Sequence, residues 1–153
     1  MTGKFRGAKV VGDKFKTVEG QGCLFVNSKA YIIKSSVPTV EQLTRVQVVP
    51  ASVSPSVFIE GLGHVYKGDV IRYTFRERGE YFNRYYRVSE HHNTVRLTEI
   101  YRDYIIDCDM HVVRGKFATN AGEVREILSP LTYNETYTLV GNIWENPELE
   151  KPV

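Results

Sequence analysis

The sequence predicts a mainly β fold: an antiparallel β-sandwich or β-barrel with one or two short helices, an extended N-terminal arm and a C-terminal tail. Three observations carry that expectation. The stretch from Tyr104 to Val112 alternates, with Tyr104, Ile106, Cys108, Met110 and Val112 on one side and Asp107, Asp109 and His111 on the other. Successive strand side chains leave on opposite faces, so this reads as a strand with one buried and one wet face, whereas a helix would scatter the polar residues. Several other short apolar runs stand between small polar turns, the spacing expected of antiparallel sheets. The chain also holds ten tyrosines, a residue suited to half-buried strand faces.

The elements follow in order. Residues 1–22 carry Gly3, Gly7, Gly12, Gly20 and Gly22 among lysines and scattered apolar residues. They read as an extended basic arm with one short strand near Ala8–Val11 and little of their own to bury. Residues 23–144 read as a single β-rich domain. Cys23 to Lys34 gives two strands about a turn at Asn27-Ser28, or one bent strand. Thr39, with Gln42 three residues on, signals a short helix before the strand-like VQVVPASV, a run that Pro50 and Pro55 break or place on an edge. Gly61 and Gly63 inside Ser56–Tyr66 suggest a bulge or a close backbone approach. After the Lys67-Gly68-Asp69 turn, Ile71, Tyr73 and Phe75 alternate with Arg72, Thr74 and Arg76, and Tyr81–Val88 is a further strand. Asn120 and Glu123 signal a short helix closed by Pro130, and NETYTLVGNIW fits a helix or a strand. Residues 145–153, with two prolines, read as an extended acidic tail.

A chain of 153 residues is long enough to bury a core as one domain, and its apolar runs are too short to span a bilayer as helices. The basic start has no apolar segment behind it, so an intracellular or virion-associated protein is expected rather than a secreted one. Two cysteines, Cys23 and Cys108, make no disulfide framework and read as buried thiols, a single disulfide between them requiring that the strands bring them within bonding distance. The charge is unevenly placed: residues 1–50 hold eight basic and three acidic residues (+5), and residues 117–153 hold two basic and six acidic (−4). Opposite ends of opposite sign can pair within one chain or between chains. Lys4, Lys9 and Lys14 on one side, and Trp144, Glu145, Glu148 and Glu150 on the other, are therefore the interface candidates.

The weaker site candidates are Asp107, Asp109 and His111, which fall at i, i+2, i+4 along one expected strand face. Two carboxylates and an imidazole can hold a divalent cation or form an acid–base pair. A metal site would need further ligands from another strand, such as His91 or His92, and a solvated face opposite arginines explains the same pattern. No metal or cofactor is expected. Arg72, Arg76, Arg84, Arg87, Arg96 and Arg102 interleave with Tyr73, Tyr81, Tyr85, Tyr86 and Tyr101 in the manner of single-strand nucleic-acid surfaces. Glu77, Glu80, Glu90, Glu99 and Asp103 in the same region offset that field, so nucleic acid is not the expected partner. Neither GxSxG, a P-loop nor Cys-x-x-Cys occurs, and no enzyme activity is expected.

A single β domain of this size followed by a C-terminal helix resembles a lipocalin in outline. The sequence departs from that pattern, having no Gly-x-Trp near the N-terminus and Trp144 as its only tryptophan. The resemblance covers architecture alone. Two functions are thus weighed: a structural subunit of a larger assembly, such as a virion or phage head or tail, with copies of itself or other subunits as partners; and a β-barrel holding a small apolar ligand in a cavity lined by Tyr73, Phe75, Tyr86 and Ile106.

Overall fold

The computed structural model describes residues 4–34, 45–77, 80–91, 94–108, 111–118, 124–125 and 135–150, with side chains described within 4–34, 45–76, 81–90, 96–100 and 135–149. As expected, it is mostly antiparallel β, built from several sheets. The chain divides into two compact units, residues 1–57 and 58–153.

In the first unit, β1 (Phe5–Val11) and β2 (Lys14–Gly20) form a hairpin that continues to β6 (Ser54–Pro55). The expected extended arm is therefore corrected: these residues are paired in register from Phe5↔Gly20 to Val11↔Lys14. The reason is the Gly12-Asp13 turn, where Gly12 takes a φ of 64° that hairpin turns favour and side-chain-bearing residues resist. A second sheet holds β3 (Gly22–Val26), β4 (Lys29–Ile33) and β5 (Arg45–Val48) in that order. Asn27 and Ser28 close the β3–β4 turn, so the two-strand reading holds over the single bent strand. Between the sheets lie Val18, Ala30, Ile32 and Val48, with Phe5, Cys23, Val46 and Val53 packed against them. Cys23 is a free, half-buried thiol, and burial raises its pKa. The buried Ala8 and Val18 make residues 5–20 part of this core rather than a removable arm.

The segment expected to cap a helix at Thr39 lies outside the described residues. A 3-10 turn at Pro50–Ser52 brings in Ser52, whose hydroxyl donates to Val49 O and accepts from the Ala8 amide. It thereby satisfies a buried β1 donor.

From the boundary onward, β7 (Val57–Ile59) pairs with β8 (Gly63–Val65). Gly61 belongs to the turn between them, so Ser56–Tyr66 is a small hairpin, not one bulged strand. The larger sheet of the second unit runs in the order β12–β11–β10–β9–β14. Its strands are β9 (Asp69–Glu77), β10 (Glu80–His91), β11 (Thr94–Cys108), β12 (His111–Ala118) and β14 (Glu135–Asn142). The two-residue β13 (Val124–Arg125) pairs with β11 at Leu97 and Thr98, so Val124 and Arg125 of the expected helix are strand residues. The open order, ending in β12 and β14, gives no closed barrel among the described strands.

Two bulges bend this sheet. Opposite Tyr85 and Tyr86, β11 carries Ile100 as an extra residue, and opposite Ile71 and Val70, β14 carries Val140. Val70, Tyr85 and Ile100 form a buried cluster with Ile143 and Leu149 packed on it. The expected extended tail is corrected here. The Asn142 side-chain oxygen accepts from the Trp144 and Glu145 amides at 3.0 and 2.9 Å, turning the chain back. A 3-10 turn over Pro147–Glu150 then delivers Leu149 to the cluster.

Candidate functional site

The first candidate surface is the hairpin end of the first unit. At the turn end of β1 stand Val10 and Val11, and on β3 stand Leu24, Phe25 and Val26, all exposed. Lys9, Lys14, Lys16 and Lys29 flank them. A cleft of about 450 Å³ lined by Val10, Gln47, Val48, Val49 and Pro50 opens beside the first turn.

A second concavity, of about 320 Å³, lies in the second unit. Three elements build it: the Lys67-Gly68 turn, the β10 stretch Arg87 to Glu90, and Ile143-Trp144 beyond β14. The turn is clasped from both sides, since Gly68 N donates to Val88 O and Ile143 N donates to Gly68 O. Gly68 has a φ of 96°, and a Cβ there would stand 3.2 Å from the Trp144 ring nitrogen. Asp69, buried behind the turn, accepts from the Tyr66 amide at 2.8 Å. Lys67, half-buried, and Glu90, exposed, face each other at 3.7 Å, a solvent-screened pair worth little to stability. Among the described lining residues the one hydroxyl, Ser89, is taken up by Thr98 Oγ1 and Arg96 O, and none of these residues is a histidine that could activate it.

The interleaved aromatic and arginine residues sort onto the two faces of β9 and β10. On one face Phe75 stacks on Phe82 with ring centres 5.2 Å apart, Tyr73 contacts Phe75 and Tyr137, and Arg84 lies over Phe75. On the other, Arg76 lies over Tyr81, and Thr74 donates to the Asn83 side-chain oxygen. The rings are thus partnered within the sheet rather than arrayed as open stacking platforms. Tyr73, Phe75 and Tyr86 do share a face, as the ligand-barrel reading requires, whereas the Ile106 side chain lies outside the described residues.

Burial, then a hydrogen bond and the negative charge of Glu135, push the Tyr73 hydroxyl up to about 12. Burial and Glu135 likewise push Tyr137 up to about 12. A raised acid pKa means that the folded state favours the neutral phenol. The associated stability is therefore fully present below the unfolded value near 10 and is lost as pH rises toward about 12. Urea midpoints should fall through that window, and Tyr73→Phe combined with Tyr137→Phe should flatten the fall. A wild-type midpoint independent of pH there would contradict the assignment.

The Asp107/Asp109/His111 arrangement changes. β11 ends at Cys108, and β12 begins at His111 and pairs back on it, with Cys108 opposite His111 and Asp107 opposite Val112. Asp107 and His111 thus belong to two antiparallel strands and are not i, i+4 neighbours on one. Asp109 lies outside the described residues. Among the described residues no group of three His, Cys, Asp or Glu side chains is placed to hold a metal.

Of the interface candidates, Lys9 and Lys14 sit on the β1–β2 hairpin, and Lys4 just precedes it, its carbonyl accepting from Ser56 N. Trp144 lines the 320 Å³ cleft, while Glu145 and Glu148 are exposed on the returning chain. Glu150 ends the 3-10 turn. Sequence reasoning missed the Lys67–Arg87–Trp144 grouping because three separate elements supply it. It also passed over the apolar hairpin ends, although VVGDK and LFVNSK each carry the signal of an apolar run beside a tight turn. No protein-family model, curated protein or solved structure matches the chain.

Proposed function

We propose that the chain is a non-enzymatic structural subunit of a larger protein assembly, of the kind that builds virions and phage heads or tails. The observation that supports this most directly is β14. It closes one side of the large sheet, and among the described strands it pairs only with β9. An edge that must stay unpaired usually carries Lys, Pro or a bulge; ETYTLVGN has neither Lys nor Pro, and its bulge at Val140 leaves Glu135–Leu139 in regular register. At its bulge Leu139 and Val140 are both exposed, so the edge offers main-chain pairing groups beside apolar side chains to a neighbouring strand. Because residues 5–20 are folded, contact through strand edges replaces contact through an arm.

Sedimentation velocity over a range of protein concentrations tests the reading. The wild-type chain should associate, and Val140→Lys should weaken association at least about tenfold, since a charge in the pairing edge is a standard block to strand addition. A wild-type monomer at high concentration would overturn the proposal, as would a Val140→Lys variant that associates equally well.

A further inference from the structure

The two hairpin turns of the first unit point to the same end of it. Gly20, which faces Phe5 in the β1–β2 ladder, lies against Ile33. Gly7 lies against Val48, the partner of Ala30. Moving along β1 from Phe5 toward Val11 is therefore moving along β4 from Ile33 toward Lys29. Both the Gly12-Asp13 and the Asn27-Ser28 turns are reached in that one direction.

What stands at this end is unusual for a surface meant for water. Val10 is 65% exposed and Val11 50%, while Phe25 is 58% exposed between the exposed Leu24 and Val26. These are consecutive strand residues, so each hairpin is apolar on both of its faces. A flat protein partner covers one face of a hairpin and leaves the other in water. A surrounding apolar medium covers both. Around the apolar residues stand Lys9, Lys14, Lys16 and Lys29, with Asp13 as the one carboxylate at the turns. Long lysine stems can lie along apolar surface while their ammonium groups reach a polar layer. Apolar side chains entering the acyl boundary, with lysines at the level of anionic head groups, is the arrangement of an interfacial membrane contact.

We infer that this end of the first unit inserts shallowly into an anionic lipid surface, with Val10, Val11, Leu24, Phe25 and Val26 in the acyl boundary and the four lysines against the head groups. The inference uses a surface distinct from β14 and does not depend on the assembly reading.

The full chain should co-sediment with vesicles of phosphatidylcholine mixed with phosphatidylserine, and at least about tenfold more weakly with phosphatidylcholine alone, because each surface lysine adds to the attraction of an anionic leaflet. Val11→Asp combined with Phe25→Asp should abolish binding. Both sites are exposed, so the urea midpoint should stay near wild type. Lys14→Glu combined with Lys29→Glu should erase the preference for phosphatidylserine without touching an apolar residue. Absence of binding to the mixed vesicles would overturn the inference, and so would an aspartate variant that binds as wild type does. If vesicles fail to bind and the aspartate variant instead dissolves an oligomer in solution, the hairpin ends are a protein contact and the lipid assignment is wrong.

Discussion

Tyr86→Ala should cost about 3–5 kcal/mol of folding stability, the range for truncating a fully buried aromatic ring, while Tyr86→Phe should cost nothing or stabilise by up to about 1 kcal/mol. Tyr86 is 0% exposed on β10, opposite Ile71 of β9 and Glu99 of β11. Ile71 and Glu99 are themselves fully buried, so truncating the ring leaves a cavity walled by packed neighbours. The ring is therefore held on both sides by sheet neighbours that cannot collapse without shifting the ladder. Its hydroxyl is the opposite case. It is buried and has no hydrogen-bond partner among the described residues. A buried hydroxyl without a partner has lost its water and gained nothing, so removing the oxygen removes a cost. Urea unfolding of the three proteins measures the order. If Tyr86→Phe loses as much stability as Tyr86→Ala, the hydroxyl is engaged and the assignment fails. Because a domain of this kind has only about 5–15 kcal/mol in total, the alanine variant should be visibly marginal near body temperature.

What was legible in the sequence follows the reach of local pattern. Ile71, Tyr73 and Phe75 alternate against Arg72, Thr74 and Arg76, and β9 is the strand that alternation predicts. A period of two, however, says nothing about reversal. The alternation from Tyr104 to Val112 looked like one strand because Asp109 and Met110 lack the Gly or Asn that marks a tight turn, yet the ladder shows the chain paired back on itself there. At the N-terminus the difference runs the other way. Gly12-Asp13 was a hairpin signal, but the apolar residues around it were too scattered to suggest a core. The core exists because β4 and β5 supply Ala30, Ile32 and Val48 to meet Val18. Such long-range contacts leave no periodic trace in the segment they stabilise. The boundary near Val57 is marked, since it follows directly on the Pro/Ser-rich stretch PASVSPS of residues 50–56, which reads equally well as a broken or edge strand inside one domain.

Gly20→Ala should destabilise the first unit by about 3 kcal/mol, the upper part of the range for forcing extra atoms into a well-packed site. Gly20 ends β2 where the chain bends into β3, and a Cβ there would run into the Ile33 carbonyl oxygen and stand 2.6 Å from Ile32 Cγ2. A flexible side chain could swing aside, but the Ile33 carbonyl cannot. It already accepts the Gln21 amide at 2.8 Å, and Ile33 is fixed in pairs with Gly22 on one side and Arg45 on the other. Moving it would weaken that bond and both ladders together, while Ile32, 0% exposed, would be driven from its place in the core. Gly12→Ala is the matched comparison. Gly12 has nothing within 4 Å of an added Cβ, so its substitution tests only the positive φ of the turn, a cost of about 1–2 kcal/mol. The glycines are eight residues apart on one hairpin, so denaturation midpoints of the two variants separate close approach from backbone conformation. A Gly20→Ala protein at least as stable as Gly12→Ala would show that β2 and β4 do not meet as closely as their contact at Ile33 requires.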